Sequence, residues 1–306
     1  MKKRHHGYKI VPFPRMRHLM ITIGRLTRHK HIIRGLVEID VTRARQSMRE
    51  HKARTGESPS FTAFLAACVA HAVEMNKEVH AYRNWRNQLV LFEDVDINIM
   101  VERDLQGQKF PVAHTVRAAN RKTVQDIQEE IRTVQAQPMR GREVKALQWV
   151  TLLPTFVRQI FLWFMFKNPR LVKQMIGTVG LTAIGMFGNR GGWGIGLPNV
   201  HTLGIVVGGI ARKPGVVDER IEIREYLNMT LNFDHDLIDG APAARFAQQL
   251  IDLIESGYGL GDSTAESEQA IASETPSDDS PWLKPRGFSG SLCRLNPPSE
   301  GKDVVK

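Results

Sequence analysis

The segment from Leu227 to Ile254 constrains the fold more than any other. Leu227–Asp234 reads as a β-strand, paired with a shorter run at Ile221–Ile223. A polar turn holding His235, Asp239 and Gly240 follows at once, and Pro242–Ile254 has the apolar spacing of an amphipathic helix. A strand that breaks into a helix through so short a turn presents the turn's side chains to a cleft on a packed scaffold.

Upstream, Leu36–Val41 alternates as a strand, and Thr42 is placed to cap a helix running to about Thr55. Ser60–Met75 reads as a core helix rich in Ala, Leu and Phe. Leu89–Phe92 and Val95–Val101 read as two short strands joined at Glu93-Asp94. Thr123–Gln137 reads as an amphipathic helix, and Leu203–Ile210 as a β-branched strand. Helices and strands therefore mix without regular βαβ alternation, which favours an α+β fold: a mixed sheet flanked by helices. Residues 147–176 interrupt the pattern with a strongly apolar, aromatic stretch. From Asp262 the chain turns rich in Ser, Glu, Asp and Pro, a composition that cannot bury much apolar surface. The expected division is a folded domain over 1–261, with the insert at 147–176, and a disordered tail over 262–306.

The chain has 306 residues and a formal charge of +10. Basic residues are scattered, with no zinc-ligand spacing and no nucleic-acid module, so neither nucleic acid nor a metal is expected; an anionic cofactor or substrate suits the charge. Cys68 lies in an apolar run and Cys293 in the tail, so no disulfide is expected. The N-terminus lacks the apolar core of a signal peptide, and the default location is cytoplasmic.

His235 is the chemically pointed residue. Imidazole is the side chain best matched to proton transfer near neutral pH, and Asp239, four residues on, is placed to steady the loop. Gly240 would permit a close backbone approach. A plain surface turn has the same composition, because Asp-Gly is a turn dipeptide.

The wider segment Asp234-His-Asp-Leu-Ile-Asp-Gly-Ala-Pro-Ala-Ala-Arg-Phe246 resembles the C-terminal signature of the catalytic domain of dihydrolipoamide acyltransferases, the core components of 2-oxoacid dehydrogenase complexes. The shorter His-x-x-x-Asp-Gly is shared with chloramphenicol acetyltransferases. Gly177–Gly188, Leu203–Ile210, Val37–Thr42, Phe61–Phe64 and Asp96–Val101 are similar to further family segments in the same order, so the resemblance covers roughly residues 10–257. It implies a chloramphenicol acetyltransferase-like fold, a homotrimer with active sites between subunits, and CoA-dependent acyl transfer to a thiol or hydroxyl such as dihydrolipoamide. By the same resemblance His235 is the general base and Thr182, in place of the family's Ser, donates to the oxyanion. Asp239 pairs with an N-terminal arginine, best matched by Arg17. The resemblance assigns no CoA-binding residues.

The departures are specific. Asp236 replaces the motif's Arg, and Ala183 stands where the family has Asn. No lipoyl domain precedes the catalytic part, so no covalently bound lipoyl group is expected in this chain, and acyl-CoA would be joined by a separate lipoyl carrier protein. Two alternatives follow: an inactive scaffold or binding relative, and a membrane-associated acyltransferase for lipid-like acyl chains. The second rests on 147–176, which is flanked by Arg140, Arg142 and Lys145 and by Lys167, Arg170 and Lys173. Pro154 and Arg158 oppose a spanning helix there, which leaves a peripheral membrane contact as one reading of the segment. A core or subunit-interface helix has the same pattern.

Overall fold

A computed structural model describes residues 10–13, 15–105, 108–137, 154–183, 191–196 and 200–261, with the backbone alone at 15–16, 103–105 and 108–111. The tail expected over 262–306, the first part of the apolar stretch with Trp149, and the end of the glycine-rich motif at 184–190 lie outside these residues.

Helix α1 (Arg15–Thr27) leads into strand β1 (Ile32–Asp40), then α2 (Thr42–Thr55) and α3 (Phe61–Met75). A small ribbon follows, β2 (Tyr82–Arg83) with β3 (Leu89–Val90), and then the hairpin β4 (Ile97–Leu105) and β5 (Gln108–Val116). After α4 (Val124–Ala136) come α5 (Thr155–Lys167) and α6 (Pro169–Ile176), β6 (Val179–Ala183), the long hairpin β7 (Leu203–Val217) and β8 (Arg220–Asp234), and α7 (Gly240–Ser256). Six strands form one mixed sheet in the order β1-β8-β7-β6-β4-β5; β6 runs parallel to both its neighbours and the other pairs are antiparallel. This is the expected α+β architecture.

Strand β8 shows how sequence sets the layers. Leu227, Met229, Leu231 and Phe233 alternate onto the face covered by helices, where Phe233 meets Phe246 of α7 edge-on at 5.8 Å. α7 lies against β1, α4 against β4, and α3 packs on both helices. α3 is buried almost all round, with Ala63 through Ala70 closed to solvent, because no polar residue interrupts it there. Ser60 caps it by accepting from Ala63 N, and Thr123 caps α4 in a capping box with Asp126.

Some expectations fail in their details. Thr42 is not a helix cap: Val41 holds that position, and the Thr42 hydroxyl accepts from Glu225 N, tying α2 to β8. Leu89–Phe92 and Val95–Val101 do not pair; β3 joins β2, while β4 joins β5. Strand β5 gives little pattern because it is an edge strand that tolerates Pro111.

Two glycines in β7 have a packing reason. Gly208 and Gly209 form a bulge, since the register moves from Val207–Met229 to Ile210–Leu227. The bulge receives the segment at 191–196: Gly209 N donates to Gly192 O at 2.9 Å, and a Cβ on Gly208 would stand 2.4 Å from that oxygen.

Candidate active site

The turn after β8 is held by its own backbone. Leu237 N and Ile238 N both donate to Asp234 O at 3.0 Å, and Ile238 is buried as its anchor. Asp234 N donates to Thr202 O at 3.0 Å, and His235 N donates to His31 O at 2.7 Å. His235 is thereby fixed one residue past the strand with its ring exposed. Two other histidines are buried. Burial pushes His80 and His201 down to about 4, and each has a ring nitrogen committed, to Phe92 O at 3.2 Å and to Ile176 O at 2.9 Å.

The ion pairs around the turn differ from the expectation. Arg17 is exposed on α1, Asp239 is exposed at the N-cap of α7, and the two form no ion pair within the chain. Lys30 instead binds Asp234 at 2.9 Å and also donates to Val200 O at 3.0 Å, while His31 Nδ1 meets Asp236 Oδ1 at 2.8 Å. The Asp236 carboxylate, by its hydrogen bond and then its charge, raises the pKa of His31 above the ordinary imidazole value. Asp236, where the family has Arg, is thus partnered inside the chain. Lys30 and His31 sit in a basic run between a helix and a strand; only their position in three dimensions distinguishes them. Among the described residues Gly240 serves no close approach: a Cβ there would meet none of their atoms within 4 Å.

Thr182 lies on β6, half-buried. It stands opposite Val206, which stands opposite Thr230, so the three side chains leave the same face of the sheet. That face carries a buried polar row along β8: Asn228, Thr230, Asn232 and Asp234. Thr230 Oγ1 and Asn232 Oδ1 have no hydrogen-bond partner among the described residues. The row runs from the level of Thr182 to the turn. It does not bring Thr182 and His235 together. His235 is five residues beyond Thr230 and two strands across from β6, which separates the two by roughly 19 Å. No substrate carbonyl can touch both within one chain.

A cavity of about 490 Å³ adjoins the turn, with Asp234, Asp236 and Leu237 on one side and α5 on the other. α5 buries Arg158, Leu162 and Met165 and exposes Phe156, Ile160, Phe161, Trp163 and Phe164. Arg158 Nε donates to Thr22 Oγ1 on α1 at 3.1 Å. No helix of the described residues is long and apolar enough to cross a membrane.

The sequence model for the catalytic domain of 2-oxoacid dehydrogenase acyltransferases matches residues 6–146 and 172–260. The chain belongs to that family. Within it, the chain is 33% identical over 81 residues to a lipoamide acyltransferase component of the branched-chain α-keto acid dehydrogenase complex from Pseudomonas putida, which covers 26% of this chain and 18% of the relative. A dihydrolipoyllysine-residue succinyltransferase component of the 2-oxoglutarate dehydrogenase complex from Buchnera aphidicola is 25% identical over 209 residues, 68% of this chain and 41% of the relative. The chain thus spans less than half the length of these relatives. In structure, a probable dihydrolipoamide acetyltransferase from Listeria monocytogenes matches with a TM-score of 0.62 at 18% identity, over 83% of this chain and 97% of that one. A truncated catalytic core of the 2-oxoacid dehydrogenase multienzyme complex from Thermoplasma acidophilum matches with a TM-score of 0.56 at 21% identity, over 82% and 99%. These likenesses establish the acyltransferase fold. The family match passes over 147–171, so α5 lies outside it.

Proposed function

We propose that this chain is a CoA-dependent acyltransferase that works as a homotrimer, with each site shared between two copies. The observation that carries this is the pairing of a rigid, exposed His235 with a Thr182 that lies roughly 19 Å away in the same chain. If both act on one carbonyl, the second must come from another copy, and a closed ring of three supplies three equivalent sites.

In the proposed reaction His235 takes the proton from an acceptor thiol or hydroxyl. The freed lone pair attacks the thioester carbonyl of acyl-CoA. Thr182 Oγ1 of the neighbouring copy donates to the oxyanion of the tetrahedral intermediate, a contact worth on the order of a hundredfold in rate. The C–S bond to CoA then breaks, and the imidazolium of His235 returns its proton to the CoA thiolate. Asp239 occupies the N-cap position of α7, where its backbone carbonyl accepts from Ala243 N at 3.2 Å. The acceptor we propose is a dihydrolipoyl group carried by a separate protein.

The test is release of free CoA thiol from a panel of acyl-CoA donors with dihydrolipoamide as acceptor. His235→Ala should reduce transfer at least a thousandfold while leaving the melting temperature unchanged, since the ring is exposed. Transfer retained by that variant refutes the mechanism, and an inert wild-type protein that still binds a lipoyl carrier supports the scaffold reading.

A second reading adds a peripheral membrane contact through 147–176. It is favoured by the large apolar side chains Phe156, Ile160, Phe161 and Phe164 that α5 leaves exposed away from the cavity and by charge: no acidic residue occurs before Glu38 or between Val144 and Val217, so α1, α5 and α6 carry none. Such a surface suits anionic lipid headgroups and would repel a copy of itself.

A further inference from the structure

The cavity beside the His235 turn has an origin that the family pattern does not supply. Its far wall is α5, and the residues that α5 contributes are Gln159, Trp163, Phe166 and Lys167. All four fall in the stretch that the family match passes over. The near wall is the turn itself, so the inserted helix faces the one segment that carries the motif.

Charge on the two walls is unbalanced. The acids of the turn are already engaged, Asp234 by Lys30 and Asp236 by His31 Nδ1. The lining cations Arg25, Arg83 and Lys167 have no carboxylate partner among the described residues. Three uncompensated positive charges thus surround apolar surface from Trp163, Phe166 and Tyr82. The Tyr82 hydroxyl is spent on Thr178 O at 3.2 Å, which leaves its ring as apolar lining. Arrangements of this kind favour a ligand with an apolar or aromatic body and an anionic group.

We propose that this cavity is the acyl pocket of the chain, that it selects an acyl group bearing a carboxylate on an apolar or aromatic body, and that α5 is the segment that creates the selectivity. The proposal rests on the acyltransferase reading above. Position distinguishes the acyl group from the rest of the donor. The thioester must sit at His235, and the acyl group begins at that carbonyl, whereas the nucleotide end of CoA is separated from its sulfur by the whole pantetheine arm. A cavity that abuts the turn is within reach of the acyl group and not of the nucleotide.

The experiment uses the full chain and isothermal titration calorimetry. The probes are 3-phenylpropionate, its neutral amide, acetate, and adenosine 3′,5′-bisphosphate. The expected result is binding of 3-phenylpropionate at least tenfold tighter than of the amide or acetate, and no competition from the bisphosphate. Trp163→Ala and the double change Arg83→Gln with Lys167→Gln should each weaken it at least tenfold. Trp163 is 54% exposed, so its loss should leave the melting temperature unchanged. Equal binding of amide and acid, unaltered binding by the variants, or displacement by the bisphosphate overturns the proposal. Binding as expected in a protein that transfers no acyl group would sink the catalytic reading alone. Transfer whose donor preference ignores Trp163→Ala would sink the pocket alone.

Discussion

Thr230→Val should stabilise this protein. Thr230 is fully buried in the middle of β8, and its Oγ1 has no hydrogen-bond partner among the described residues. Valine keeps the branched shape at Cβ and suits a strand, so packing against Val206 is preserved and only the desolvated hydroxyl is removed. An unsatisfied buried hydroxyl costs about 1–2 kcal/mol, and its removal should raise Tm by roughly 2–8 °C in a domain of this size. The control is the same substitution elsewhere. Thr22 is just as buried, but its Oγ1 donates to His18 O at 2.8 Å and accepts from Arg158 Nε at 3.1 Å. Thr22→Val strips the guanidinium of its acceptor in the α1–α5 contact and should cost about 2–3 kcal/mol. Thermal melts followed by circular dichroism at one protein concentration would compare them. If Thr230→Val destabilises by more than about 1 kcal/mol, the hydroxyl has a partner and the reading of the polar row is wrong.

Three further outcomes are expected. By NMR titration, His31 should lose its proton at a higher pH than a free imidazole, and Asp236→Asn should bring that midpoint down; because the folded pKa is raised, the pair's contribution is present in acid and lost as pH rises through the His31 midpoint. Gly208→Ala should cost about 2–3 kcal/mol in chemical denaturation, since the new Cβ meets the Gly192 carbonyl and the backbone has to shift; an unchanged midpoint would mean that 191–196 does not cross the bulge. The protein should co-sediment with phosphatidylcholine–phosphatidylserine vesicles at low salt and not with phosphatidylcholine alone, and Phe161→Ser with Phe164→Ser should abolish it. Absence of co-sedimentation, or dimers that vanish in the same variant, would assign the α5 face to protein contact instead.

What the sequence made legible was local and strongly periodic. The helices read over Ser60–Met75 and Thr123–Gln137 form at Phe61–Met75 and Val124–Ala136, with Ser60 and Thr123 standing just outside as their caps. The strand–turn–helix of residues 227–254 was readable because Leu227, Met229, Leu231 and Phe233 fix one face and the turn leaves no freedom before α7. What stayed hidden depends on partners distant in sequence. Thr42 looks like a cap, yet Glu225, far along the chain, claims its hydroxyl. The arginine expected beside Asp239 is not paired with it, while Lys30 and His31 take the acids of the turn through a strand pairing that no local pattern announces. α5 was recognisable as apolar, but the division of its surface into a cavity wall and an open face follows from its docking on α1.

The register of β1 against β8 governs the order in which this molecule can fold. Ile32 pairs with Asp234, so the first strand of the main sheet waits for the last, with some two hundred residues between them. While the chain emerges from the ribosome, β1 and the apolar surface of α3 exist without the strand and helix that cover them. The β7–β8 hairpin closes locally and fast, and the ring of contacts to β1 closes only afterwards. Synthesis of the first half is therefore the interval of greatest exposure to aggregation, and truncation before β8 should leave an insoluble chain rather than a smaller folded domain.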